Sequence, residues 1–273
     1  MIFNFSDYDR LIPLVSNSLI AAALLGLVGG LIGIFVMTRD MSFAVHGISE
    51  LSFAGASVAL LIGVDVVLGS IAGSLIAAVI LGVLGHRAKD RNSIIAVLMP
   101  FGLGLGILAL SLYQGRAANK FGLLTGQIVA VDDVALGWLA GIALLAVLAL
   151  AVIWRPLTFA SLDPEVAEAR GVKTGWLSVI FLVLLALAVA ASVQVVGALL
   201  VLSLLVTPAA SALRVTSSPK LAPVLSVAFA LVASLGGILL ALGGGLPISP
   251  YITTISFLIY LVCRAIAWGR GRK

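Results

Sequence analysis

Charge is what this sequence has least of. Asp, Glu, Lys and Arg make up 10% of its 273 residues, against about 25% in soluble globular domains. That shortage excludes an ordinary soluble enzyme and a disordered, self-repelling chain. A single cysteine, Cys263, excludes an internal disulfide framework and reads as a small buried hydrophobe. The phosphate-binding loop G-x-x-x-x-G-K-S/T is absent, so any ATP chemistry belongs to a separate polypeptide. H-E-x-x-H is absent as well, which removes the metalloprotease signature. The chain is therefore expected not to be an enzyme.

What it does have is apolar length. Hydrophobic residues account for 62% and the mean hydropathy is +1.26. A membrane-spanning helix needs about 20 mostly apolar residues. Nine stretches qualify: Leu11–Thr38, Ser42–Gly63, Val66–Gly85, Ser93–Tyr113, Val134–Trp154, Gly175–Val193, Val196–Leu213, Leu221–Leu242 and Tyr251–Trp268. The first is too long, and too weakly preceded by basic residues, for a cleaved signal peptide. Backbone groups in lipid must pair internally, and segments alternating over about ten residues are missing, so the spans read as helices rather than barrel strands. The fold class is all-α, a polytopic membrane helix bundle within one domain, residues 1–273. Val196–Leu213 is the weakest span; as a re-entrant helix it would reduce the count to eight. Gly26 and Gly30 form a small-xxx-small pair, and Gly102, Gly104 and Gly106 mark a closely approached stretch.

The 16 basic residues set the orientation. With the N-terminus outside and nine alternating spans, 13 of them fall inside, leaving Arg10, Arg116 and Lys120 outside. Such a bias follows the positive-inside rule and places the C-terminus in the cytoplasm. It also explains the net charge of +5 without a nucleic-acid partner.

An ionisable side chain at the bilayer centre costs about 2.5–3.5 kcal/mol and usually has a function. The second span carries two, His46 and Glu50. Four apart, they share one helix face, with Ser42 and Ser49 near the same stripe. Imidazole nitrogen and carboxylate oxygen together suit divalent ions such as zinc or manganese. Two ligands make an incomplete shell, finished by water or a second subunit, which fits an ion that must leave again. His86 lies in a charged loop and reads as solvated. Asp65, Asn119 and Gln127 read as loop residues, and Gln194 as a group that caps or hydrogen-bonds a helix end.

The loop Arg155–Val172 predicts a short cytoplasmic helix over about 161–171. Ser161 or Asp163 serves as its cap, Pro164 takes its first position, Glu165 and Glu168 lie toward its N-terminal end, Ala167 and Ala169 lie in its middle, and Gly171 stops it. A helix of that shape fits a groove on a partner protein.

Three segments in this order resemble the membrane permease subunit of zinc/manganese(/iron) ABC importers: Arg39-Asp40-Met41-Ser42-Phe43 through His46, Glu50 and Gly55-Ala56; Asp163-Pro164-Glu165-Val166-Ala167 through Ala169 to Gly171-Val172; and Val195–Ala212. The similarity covers nearly the whole chain. In that family the second span commonly reads Asp-x-x-x-His along the metal path; here imidazole and carboxylate are exchanged, as His46 and Glu50. A family carboxylate after the fourth span aligns with Asn119, a departure. The resemblance implies metal ligands at His46 and Glu50. It also implies an ATPase-coupling helix carrying Asp163, Glu165, Ala167, Ala169 and Gly171. The implied cargo is a divalent metal, zinc first because imidazole favours it, then manganese or iron, with no cofactor bound permanently. The implied partners are a second copy in a homodimer, cytoplasmic ATPase subunits that bind the ATP, and an extracytoplasmic metal-binding protein, all at the cell membrane. A secondary transporter or channel without an ATPase is the alternative; it would need more intramembrane charge or an inverted repeat.

Overall fold

Long apolar runs satisfy their backbone in lipid by folding into helices. Eight such helices are long and apolar enough to cross a membrane among the residues described by the computed structural model: 8–84, 88–115, 122–123, 131–244 and 248–271. His86, Asn119 and Gln127 lie outside the described residues. After a short α1 (Tyr8–Leu14) come α2 (Ser16–Thr38), α3 (Ser42–Ile62), α4 (Val66–Leu84), α5 (Ala88–Leu112) and α6 (Asp133–Leu162). The six-residue α7 (Pro164–Ala169) leads into α8 (Thr174–Val196), two short pieces α9 (Val201–Leu205) and α10 (Thr207–Val215), then α11 (Leu221–Gly244) and α12 (Ile248–Gly269). No strand occurs among the described residues.

The fifth span runs longer than expected. α6 does not stop at Trp154 but continues through Pro156 to Leu162. The hydroxyls of Thr158 and Ser161 donate to the carbonyls of Trp154 and Leu157, one turn back along the same helix.

The weak stretch Val196–Leu213 is neither one helix nor a re-entrant hairpin. Gly197 (φ 80°) ends α8, a 3₁₀ turn covers Ala198–Leu200, and α9 and α10 follow. Pro208 has no N–H to give the Leu204 carbonyl, and that oxygen lies against Gly29 of α2, where a Cβ would come within 2.9 Å. The Ser203 carbonyl accepts instead from the Ser256 hydroxyl of α12 at 2.9 Å. Irregular backbone at membrane depth survives only where protein buries it, and Val201, Leu204 and Leu205 are fully buried.

Long-range contacts fix which helix ends lie together. Gln194, near the end of α8, donates to the Val66 carbonyl at the start of α4, and Asn17 of α2 donates to Asp133 at the start of α6. At the opposite end, Thr38, Ser161, Leu213 and Ser217 line one cavity. The broken stretch from Gly197 to Val215 therefore runs from one end of the bundle to the other and makes a ninth crossing beside the eight continuous helices. Arg39, Arg170, Lys173, Arg214 and Lys220 all belong to the end that carries α7.

Helices α2, α3 and α8 form the centre; about two-thirds or more of each is buried, compared with about a fifth of α6 and α12. Close approach follows the small residues. Gly26 and Gly30 both face α11, and a Cβ on Gly30 would lie 2.6 Å from the Val227 Cα. Gly102 and Gly106 press α5 onto α3, at Glu50 and Phe53, whereas Gly104 faces open space.

Candidate functional site

The central helix α3 begins immediately after a three-residue turn, Arg39-Asp40-Met41. The turn closes α2 with a Schellman pattern: the Met41 N–H donates to the Val36 carbonyl and the Asp40 N–H to that of Met37. Asp40 takes the left-handed conformation this needs, φ 52°. The first turns of α3 are thus rigidly registered on the end of α2.

One turn into α3, His46 Nε2 stands 3.7 Å from Glu50 Oε1. That separation allows electrostatic attraction but exceeds a hydrogen bond. The Glu50 side chain is 5% exposed and that of His46 26%. Among the described residues, His46 Nδ1 and Glu50 Oε2 are buried without a hydrogen-bond partner. Buried polar atoms are normally satisfied, and leaving one unpaired costs about 1–3 kcal/mol, more when charged. A merely structural pair would engage those atoms. Here an imidazole nitrogen and a carboxylate oxygen remain available to a ligand.

Ser57 Oγ is the third buried side-chain atom without a partner among the described residues, and sequence reasoning missed it. Residues 46, 50 and 57 fall within about 40° of one another around a helix, so the three unsatisfied groups occupy one stripe of α3. That register was the signal available in the sequence. Ser42 and Ser49 are otherwise engaged: Ser42 donates to the Met37 sulfur at 3.3 Å and Ser49 to the His46 carbonyl at 2.8 Å. Among the described residues no group of three His, Cys, Asp or Glu side chains gathers. Asp65 is exposed and caps α4, accepting from the N–H groups of Val67 and Leu68.

The loop helix is shorter than expected, 164–169 rather than 161–171, because Ser161 completes α6. Asp163 is the cap, accepting from the Val166 N–H at 3.0 Å, with Pro164 at the first position. Gly171 (φ 82°) ends it, with the Val172 N–H returning to the Ala167 carbonyl at 3.0 Å. Asp163, Glu165, Ala169 and Gly171 are exposed, while Ala167 is fully buried. Ala167 therefore anchors the helix to the bundle, and the other four face outward. The Thr174 hydroxyl donates to the Glu168 carboxylate, tying the helix to α8.

A multi-pass helical bundle with a protruding loop helix and a polar stripe on an inner span has the build of a transporter's membrane subunit. Residues 12–267 match the model of the ABC 3 transport family, and the chain belongs to that family. It is 30% identical over 254 residues to the manganese import system permease protein ScaB of Streptococcus gordonii, covering 93% of this chain and 91% of that one. It is 28% identical over 234 residues to the manganese transport system membrane protein MntC of Halalkalibacterium halodurans, covering 85% and 80%. Among solved structures it is similar to a chain of PsaBC from Streptococcus pneumoniae in complex with Fab, with a TM-score of 0.85, 26% identity and 95% of each chain covered.

Proposed function

We propose that this chain is the permease of an ATP-driven importer for a divalent metal ion, with manganese the first cargo and zinc or iron second. The observation that carries the reading is the pairing of half-buried His46 with buried Glu50, leaving one orphan nitrogen and one orphan oxygen on the same face of the central helix. Imidazole alone would favour zinc; the carboxylate beside it suits the harder manganese ion, and the relatives named for manganese support that order.

The ion enters partly hydrated from an extracytoplasmic binding protein. His46 and Glu50 replace part of its water shell, and the Ser57 hydroxyl, about 10 Å further along the same stripe, offers an oxygen at another point of the path. Two strong ligands hold a cation too weakly to trap it, so it can leave. The chain has no nucleotide-binding loop and is not itself an enzyme; ATP is bound by cytoplasmic ATPase subunits. These grip the exposed residues of α7, and two copies of the permease pair to enclose the path. The basic end of the bundle faces the cytoplasm.

Proteoliposomes containing the permease, its ATPase and its binding protein test this reading through manganese uptake with zinc and iron in competition. ATP-dependent uptake of isotopic manganese that unlabelled manganese suppresses more strongly than zinc or iron supports it. Equal uptake without ATP would establish a secondary transporter instead.

A further inference from the structure

The guanidinium of Arg39 joins three parts of the molecule that are far apart in sequence. It donates to Ser161 Oγ at 3.5 Å, in the last turn of α6, and to Ser178 Oγ in the first turns of α8. Its central carbon lies 5.6 Å from the centre of the Phe181 ring, within cation–π range. Phe181 packs edge-on against Phe35 of α2, which packs in the same manner against Trp154 of α6. Ser161 precedes the Asp163 cap of α7 by two residues, and Ser178 follows Thr174, the α8 residue that binds Glu168 of α7, by four. Arg39 therefore holds both chain segments that flank the loop helix.

Its own backbone sits in the tight turn that starts α3. Arg39 precedes His46 by seven residues, across that turn and the first turn of α3. A cavity of about 580 Å³ opens beside the guanidinium, between Leu81 and Gly82 of α4 and Trp176 of α8, so the side chain has room to shift. Arginine suits this place because its fork reaches two hydroxyls and an aromatic face at once; lysine offers a single point charge.

We propose that Arg39 is a positioning residue that transmits displacement of α7 to the His46–Glu50 helix, and so couples ATPase closure to movement of the metal ligands. This rests on the importer reading above. When α7 moves, the ends of α6 and α8 move with it, the guanidinium follows its two serine acceptors, and the rigid turn passes the shift to the first turns of α3.

The test uses the assembled transporter in nanodiscs and compares the parent with Arg39→Gln, Arg39→Lys and the double variant Ser161→Ala/Ser178→Ala. The double variant removes these two serine acceptors without touching the α2–α3 turn, so it decides the matter should Arg39→Gln fail to assemble. Hydrogen exchange over residues 41–50 is measured with and without trapped nucleotide, alongside metal moved per ATP hydrolysed. The expected result is a nucleotide-dependent change in exchange in the parent, reduced about tenfold in Arg39→Gln and in the double variant, with Arg39→Lys intermediate and nucleotide-free exchange unaltered. Metal moved per ATP falls in the same order. A full nucleotide response in the double variant overturns the proposal, because a residue with only a structural role would leave that response intact. The exchange readout needs no cargo: a parent complex that moves no manganese yet shows the graded response contradicts the importer reading and supports the relay.

Discussion

Gly102 of α5 lies directly on the backbone of Glu50. A Cβ at that position would sit 2.9 Å from the Glu50 carbonyl carbon and 2.8 Å from Leu51 Cδ1, distances that backbone atoms cannot accommodate without moving. Gly102→Ala must therefore push α5 off α3 without altering His46 or Glu50. Misplacement of a binding group by less than an ångström can cost about tenfold to a hundredfold in rate, and manganese uptake should fall in that range while membrane abundance stays near the parent level. Immunoblotting beside isotope uptake measures both.

Glu50 buries a carboxylate oxygen with no partner among the described residues, a cost to stability that only a ligand recovers. Glu50→Gln keeps the shape and removes the charge. The purified permease should melt at the same temperature or a few degrees higher, while uptake is lost. A marked fall in melting temperature would identify Glu50 as a structural group.

α7 depends on a left-handed residue at its end. Gly171→Val places a β-branched side chain at φ 82°, a conformation costing about 1–2 kcal/mol for L-residues. The helix terminus should loosen and metal-stimulated ATP hydrolysis should fall, with a smaller change in permease abundance. Unchanged stimulation would remove α7 from the coupling role.

Packing of α2 on α11 involves neither His46 nor Glu50 and provides a control. A Cβ on Gly30 would lie 2.6 Å from the Val227 Cα, so Gly30→Val should cost about 1–3 kcal/mol or more through overpacking. The expected outcome is lower thermal stability and less folded protein, unlike Glu50→Gln.

Uninterrupted apolar length makes the eight long helices legible in the sequence, and the i, i+4 spacing does the same for the His46–Glu50 pair. The cap at Asp163 and the stop at Gly171 follow from local chemistry, since both act within a few residues of themselves. The break after α8 is not legible in the same way. Val196–Leu213 is predominantly apolar, and what interrupts it is a combination of Gly197, the missing Pro208 donor, the Ser256 hydroxyl that bonds the Ser203 carbonyl and the close approach of Gly29 to the Leu204 carbonyl. The links from Arg39 to Ser161 and Ser178 span 122 and 139 residues, beyond the reach of any local pattern. Ala167 shows the same limit: its place in the loop helix is visible, but its inward orientation depends on the helices beneath it.

On the importer proposal, His46 and Glu50 together hold the travelling ion. Isotopic manganese uptake by the reconstituted complex, compared across the parent, His46→Ala and Glu50→Gln at equal amounts of assembled transporter, tests it most directly. The predicted result is uptake in the parent and near-background values in both variants, with the ATPase still bound. Parent-level uptake in both would show that neither side chain holds the ion.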